Sequence, residues 1–162
     1  MRRITILTIT MLALTSFMAT TAQAQNPHFL SCSASGVNDD GTLNVSFKIA
    51  GLGSNQSLTV TASATADAVY GCLNKGGQCP NAANKQDVKA NVSAEGTFKS
   101  GKNGQITASL TVDPPPSTLK CPGGQSLVLV SISYTDVKVT AAGQECDPSP
   151  GTFAANFFPQ CP

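Results

Sequence analysis

The chain contains no tryptophan, only two tyrosines and a single histidine, and its only arginines are Arg2 and Arg3. Each shortage weighs against a class of function. β-Rich modules that hold sugars usually stack flat aromatic rings on them. Here only Tyr70 and Tyr134 carry a ring with a hydroxyl. Tyr70, beside Cys72 at the end of a strand pattern, is the more exposed candidate, although a tyrosine packed at the core periphery is the simpler reading. A serine nucleophile needs a placed base. The lone His28 would stand close to the start of the exported chain, where termini are commonly loose. His28 has no partner at metal-ligand spacing, and Cys72 and Cys79 are too far apart for the usual zinc pair. Neither a metal nor another cofactor is expected. Without arginine beyond the first three residues, the chain lacks the basic footprint of a nucleic-acid binder and a polybasic patch for anionic membranes.

Long apolar runs are equally scarce. The one run that exists, Ile4 to about Met18, follows Arg2-Arg3 and precedes Ala22-Gln23-Ala24. Positive start, apolar stretch and small-x-small site form a cleavable secretory signal over residues 1–24. The motif that would flank a twin-arginine signal is absent. Cys32 lies too far behind the apolar stretch to be a lipidated cysteine. No later run approaches the roughly 20 residues of a transmembrane helix, so no integral membrane segment is expected after cleavage. Removing 24 of 162 residues leaves 138, read as one domain, 25–162. It also removes both arginines from the ten basic residues, leaving eight lysines against nine acids and a formal charge of −1.

Six cysteines remain: Cys32, Cys72, Cys79, Cys121, Cys146 and Cys161. An even count in an exported chain reads as three disulfides. Spacing does not choose among the pairings. Cys72 with Cys79 would close a small loop around Gly76-Gly77. Cys72 with Cys121 would join two strand ends beside Gly-Gly turns, as a bridge between sheets, and this is the favoured alternative.

Period-two alternation recurs along the chain. Leu43, Val45, Phe47 and Ile49 alternate with polar residues, as do Leu58, Val60, Ala62, Ala64 and Ala66, and later Ile106, Ala108, Leu110 and Val112. Val88, Val92 and Ala94 mark a shorter strand. Turn chemistry at Gly101-Lys102-Asn103-Gly104 places Phe98 and Ile106 on two arms of one hairpin. Val128, Val130, Ile132 and Tyr134 keep one phase and Val137 and Val139 the other. That slip implies either a bulge near Thr135-Asp136 or a strand covered on both faces. Phe29 to Ser33 forms an initial strand, and Phe153 and Phe157 belong to a final one. Pro114-Pro115-Pro116 cannot enter a sheet interior and reads as a crossing between sheets. The fold expected is all-β: one antiparallel β-sandwich, immunoglobulin-like in architecture, with seven to eight strands and three disulfides. Phe47, Phe98, Tyr134, Phe153 and Phe157 supply its bulky core.

Three segments carry a resemblance: Cys72-Leu73-Asn74-Lys75-Gly76-Gly77, Gly96 to Ser109 around Lys102-Asn103-Gly104, and Cys121-Pro122-Gly123-Gly124. Together they resemble a group of small, exported, β-rich domain proteins that are uncharacterised. The resemblance covers roughly the middle half of the chain. It implies an exported β domain and no particular activity.

The nine acids stand mostly in turns and at strand ends, where aspartate usually serves the backbone. Two of them meeting across a cleft would suit a glycosidase-like hydrolase. Asp39-Asp40, or Asp136 with Glu145 and Asp147, would offer oxygens to calcium, although turn acids are the simpler account. Thr59, Thr61, Ser63 and Thr65 form a hydroxyl row, as do Thr107, Ser109 and Thr111. Such rows suit ordered polymers but equally any solvated strand face. Asn44, Asn55 and Asn91 begin glycosylation sequons. The reading that collects these features is a secreted, non-enzymatic binding or structural module whose partner is an extracellular protein or polymer. Its contacts are expected on loops gathered at one end, Gly71 to Lys85 and Ala141 to Gly151, with Tyr70, Asn74, Lys75 and Gln78 as binding residues. The alternatives are a secreted hydrolase with a carboxylate pair, and a secreted inhibitor or effector working through a Cys72–Cys79 loop.

Overall fold

Among the described residues, alternating apolar and polar residues become eight strands: β1 (His28–Val37), β2 (Leu43–Ala50), β3 (Ser57–Asn74), β4 (Lys85–Lys99), β5 (Ile106–Val112), β6 (Gln125–Ala141), β7 (Gln144–Cys146) and β8 (Phe153–Asn156). The structure, a computed structural model, describes residues 26–79, 84–159 and 161, and the leader expected over 1–24 lies outside the described residues. All strand pairings are antiparallel. They form a three-stranded sheet, β1-β2-β5, and a five-stranded sheet, β4-β3-β6-β7, with β8 also paired to β6.

Period-two patterning dictates which rows meet between the sheets. Leu43, Val45, Phe47 and Ile49 of β2 are buried against Val60, Ala62, Ala64, Ala66 and Ala68 of β3 and Ile132, Tyr134, Val137 and Val139 of β6 in one core cluster. Each large aliphatic buried there is worth about 1.5–3 kcal/mol. The alanine row on β3 leaves room for the larger side chains of the cluster. Phe47 meets Phe98 edge to face, ring centroids 5.4 Å apart. Of the five aromatics expected in the core, Phe47, Tyr134 and Phe153 are buried. Phe98 and Phe157 pack against the cluster while half-exposed.

The slip in β6 is a bulge. Ser63 pairs with Lys138 and Thr65 with Thr135, so Ala64 faces two residues, Asp136 and Val137. Asp136 takes a left-handed φ of 52°. This puts Tyr134, Val137 and Val139 all in the core while Asp136, Lys138 and Thr140 stay exposed. A second shift, between Val69 and Tyr70, skips Val130. It ends the single phase expected from Val128 to Tyr134.

The hairpin expected between Phe98 and Ile106 does not form. The turn is present, with Gly104 N–H donating to the Gly101 carbonyl at 3.0 Å. However, β4 and β5 leave it into different sheets. The reason is a second crossing beside it. Residues 51–56 carry the chain from β2 to β3 and take up groups from the 100–105 turn. Leu52 N–H donates to Gly104 O, and Ser100 N–H donates to Gln56 O. Buried Ser100 adds a hydroxyl bond to Gly53 O and accepts one from Gln56 N–H. Val88, Val92, Ala94 and Phe98 accordingly share one 15-residue strand.

Residues 113–124 link β5 to β6, so the proline run does cross between sheets. Constant-type immunoglobulin domains place the fourth strand beside the fifth. Here β4 lies beside β3, which leaves three strands facing five.

The disulfides are Cys32–Cys146, Cys72–Cys121 and Cys79–Cys161. The favoured Cys72–Cys121 pairing is present, but it ties β3 to the 113–124 connection. The bridge between sheets is Cys32–Cys146, from β1 to β7. Three such bonds belong to an oxidising, non-cytoplasmic compartment. Among the described residues, no helix is long and apolar enough to cross a membrane.

Candidate functional site

The outward rows of the five-stranded sheet are built from short polar side chains. On β3 the row runs Thr59, Thr61, Ser63, Thr65, Asp67 and Val69. Across from it on β4 stand Thr97, Glu95, Ser93, Asn91, Lys89 and Asp87. Cross-strand bonds knit the two rows. Thr59 and Thr97 share a hydroxyl bond at 3.1 Å, Thr61 donates to Glu95 at 3.3 Å, and Thr65 donates to Asn91 Oδ1 at 3.2 Å. The second hydroxyl row, on β5, lies on the other sheet, where Thr111 donates to Asn44 of β2. The two rows therefore sit on separate sheets.

Where β3, β6 and β8 run side by side, the outward positions are Asp67, Val69, Ser131, Ser133, Ala154 and Asn156. They line an open groove of about 520 Å³. It exists because serine and alanine are short and the longer Asp67 and Asn156 rise beside them. Asp67 and Asn156 are exposed, and Ser131 and Ser133 are half-buried. A smaller hollow of about 280 Å³ opens at the β6 bulge, between Ser63, Thr65, Asn91, Asp136 and Lys138. Each hollow contains a single carboxylate, so neither brings together the pair that a glycosidase needs.

Two of the acids considered for calcium, Asp40 and Glu145, have other partners. Asp40 accepts from the Thr42 hydroxyl and from its N–H. These bonds hold its carboxyl below the usual value. Glu145 forms an ion pair with Lys138. That contact, with Asp147 and Asp136 nearby, raises the Lys138 ammonium above its ordinary value. Glu145 thus already holds a cation, and Asp136 and Asp147 act on that cation only through their charge. Among the described residues, no group of three or more His, Cys, Asp or Glu is placed to hold a metal ion.

The four binding residues expected from sequence do not form one surface. Tyr70 is only 9 % exposed. Its hydroxyl donates to the Pro115 carbonyl at 2.6 Å. Burial raises its pKa. It therefore presents no ring face to solvent, because the 113–124 connection covers it. Asn74 works inside a turn: its Oδ1 accepts from Gly76 and Gln78 N–H, both at 2.9 Å. Its carbonyl accepts from Gly77 N–H. Lys75 and Gln78 are exposed on that turn. Cys79 bonds to Cys161, so the closed Cys72–Cys79 loop of the inhibitor reading is absent.

The two loops expected together at one end are also separated. Asn74 pairs with Gln125, while Val60, near the other end of β3, pairs with Ala141. The fourteen residue steps from Val60 to Asn74 span on the order of 45 Å along an extended strand. The groove on the sheet face has little trace in the sequence, because Ser131, Ser133 and Ala154 look like ordinary strand residues. Their short length was the one available signal.

The chain matches no protein-family model, no curated protein and no solved structure. The geometry of the face is therefore the ground for a functional reading.

Proposed function

We infer that the chain is an exported, non-enzymatic binding module that holds a hydroxyl-rich polymer along the outer face of its five-stranded sheet. The observation that carries this is the groove over β3, β6 and β8, where serine hydroxyls, an amide and one carboxylate flank a shallow floor of short side chains. Hydroxyl, amide and carboxylate groups at strand spacing match a ligand that both donates and accepts hydrogen bonds along its length. The polar rows of β3 and β4 continue the same face. Three disulfides suit a module that works outside the cytoplasm.

The test is co-sedimentation of the folded protein with insoluble wall polysaccharides, alongside the Ser133→Arg variant, which fills the groove. Retention released by chaotrope but not by detergent, and lost in Ser133→Arg with the melting temperature unchanged, is the expected result. A protein that stays in the supernatant with every polymer tried, or binds equally well with the groove filled, overturns the reading.

The effector reading keeps one supporting feature. The Asn74–Cys79 turn is held by four internal hydrogen bonds and ends in a disulfide, and it displays Lys75 and Gln78 rigidly. Alanine at both positions, leaving polymer retention intact while abolishing a protein–protein contact, would assign that role to the turn.

A further inference from the structure

A sheet edge is a row of unpaired backbone groups, and proteins usually shorten it, bulge it or cover it. Most edges of this molecule are treated in that way. β7 and β8 have three and four residues, β5 has seven, and β1 is interrupted by two register shifts. β4 is the exception. It runs 15 residues without a proline or a bulge, in unbroken register from Ser57↔Lys99 to Gly71↔Lys85, and among the described residues β3 is its only strand neighbour. Among the described residues, no other segment makes a hydrogen bond to its backbone between residues 85 and 99.

The side chains of β4 add a second observation. Its inward row, Val88, Ala90, Val92, Ala94 and Phe98, is only half-buried. The seven-residue β5 on the opposite sheet is too short to cover it. Its outward row reads Asp87, Lys89, Asn91, Ser93, Glu95, Thr97 and Lys99. Among the described residues, the only ion pair is Lys138–Glu145, so Asp87 and Lys99 have no ionic partner within the molecule.

We propose that β4 pairs antiparallel with β4 of a second copy, about a two-fold axis at Ser93, joining two five-stranded sheets into one of ten strands. In this register residue i faces residue 186 − i of the partner, and the contact runs from Asp87 to Lys99. Asp87 then faces Lys99 twice, once on each side of the axis. On the inward face Val88 meets Phe98, Ala90 meets Gly96, and Val92 meets Ala94. Neighbouring registers lose this match. Centring on residue 92 sets Lys85 against Lys99, which offsets the Lys89–Glu95 pairing it gains, centring on 94 sets Lys89 against Lys99, and centring on 91 sets Asp87 against Glu95. Like charges directly opposite destabilise a strand pair, and opposite ones stabilise it. A symmetric contact of this kind uses one patch on both subunits and closes as a dimer. The inference does not depend on the polymer reading. It makes the two polar faces continuous.

The test is sedimentation equilibrium of the oxidised, unglycosylated protein over a concentration series. A dimer is expected. Asp87→Lys and Lys99→Asp should each weaken it by about tenfold or more, since each replaces two attractive contacts by two repulsive ones. The double variant should return to within about threefold of the parent affinity. Circular dichroism and melting show that the variants are folded, since both positions are on the solvent face. Ser93→Cys should cross-link across the axis, where facing Cα atoms of antiparallel strands lie about 4.5–5.5 Å apart, whereas Lys89→Cys should not. A monomer at every concentration, single reversals without effect, or a double variant that fails to recover would overturn the proposal.

Discussion

The two ends of the sandwich solve the same problem by different means. At one end the chain crosses between sheets twice, through 51–56 and 100–105, and the two crossings bond directly to each other through backbone groups and the buried Ser100 hydroxyl. At the other end β3 and β6, with 18 and 17 residues, are much longer than β2 and β5, with eight and seven. Among the described residues no strand lies opposite their far part, and the irregular 113–124 connection covers it instead. Such a segment has no ladder of its own and must be tied down by side chains. The Cys72–Cys121 bond, the Tyr70 hydroxyl on Pro115, and Gln86 do this. Gln86 Oε1 accepts from Ser117, Thr118 and Leu119, and its Nε2 donates to Thr118. Cys79–Cys161 secures the neighbouring turn. Equal-length strands can close with turns alone, whereas unequal ones need a tethered cover.

If this contrast holds, removing a tether should cost most at the covered end. Replacing Cys72 and Cys121 by serine is expected to lower stability by about 2–4 kcal/mol. Hydrogen exchange should show 113–124 and the end of β3 opening before the rest. Uniform loss of protection would mean that the cover is not a separate element. Next, Gly41→Ala tests the turn before β2, which is bound to the core through the Tyr134 hydroxyl on Gly41 O at 2.8 Å. Gly41 has a φ of 86°, and an added methyl would lie 2.3 Å from Leu129 Cδ2. A loss of about 2 kcal/mol is expected in chemical denaturation, in the range for left-handed strain with overpacking.

Ser100→Ala addresses the interlocked end directly. It leaves Gly53 O and Gln56 N–H without their partner, for an expected cost of about 1–3 kcal/mol. A cost above that of the Cys72–Cys121 removal would reverse the comparison. Tyr70→Phe, which frees only the Pro115 carbonyl, should cost about 1 kcal/mol. Its signature is that the effect disappears in the background lacking the Cys72–Cys121 bond, because both tethers hold the same cover.

The smallest effect concerns the exposed Lys138–Glu145 pair outside both ends. The folded-state pKa of Lys138 is raised, so its contribution is complete below the ordinary lysine value and is lost as pH rises through the folded value. Lys138→Met should abolish a slight alkaline destabilisation and lower the melting temperature near neutral pH by a similarly slight amount, because the pair's contribution is already complete there. The mirror case is Asp40, whose lowered pKa stabilises its turn above the usual carboxyl value and ceases to do so as acid protonates it.

Much of the architecture was legible because alternation is a local property. A residue at i and one at i+2 share a face of a strand wherever the strand ends up. The rows of β2, β3 and β5 and the bulge at Asp136 follow from that, and the proline crossing follows from proline's missing N–H. The reading of six cysteines as three disulfides rests on their even count instead. Partnership is not local. Turn chemistry at Gly101–Gly104 is the same whether the following strand folds back as a hairpin or crosses to another sheet. Only the adjacent 51–56 segment, 44 residues away from Ser100 at Gln56, decides it. The burial of Tyr70 likewise depends on Pro115, 45 residues on. Composition and periodicity thus determined that the chain is a disulfide-linked, all-β protein with a polar exterior. Tertiary structure alone decided which cysteines pair, which loops lie apart, where short side chains leave a groove and which strand is left with an open edge. Those outcomes depend on relative strand lengths and on contacts between distant segments, which no window of neighbouring residues contains.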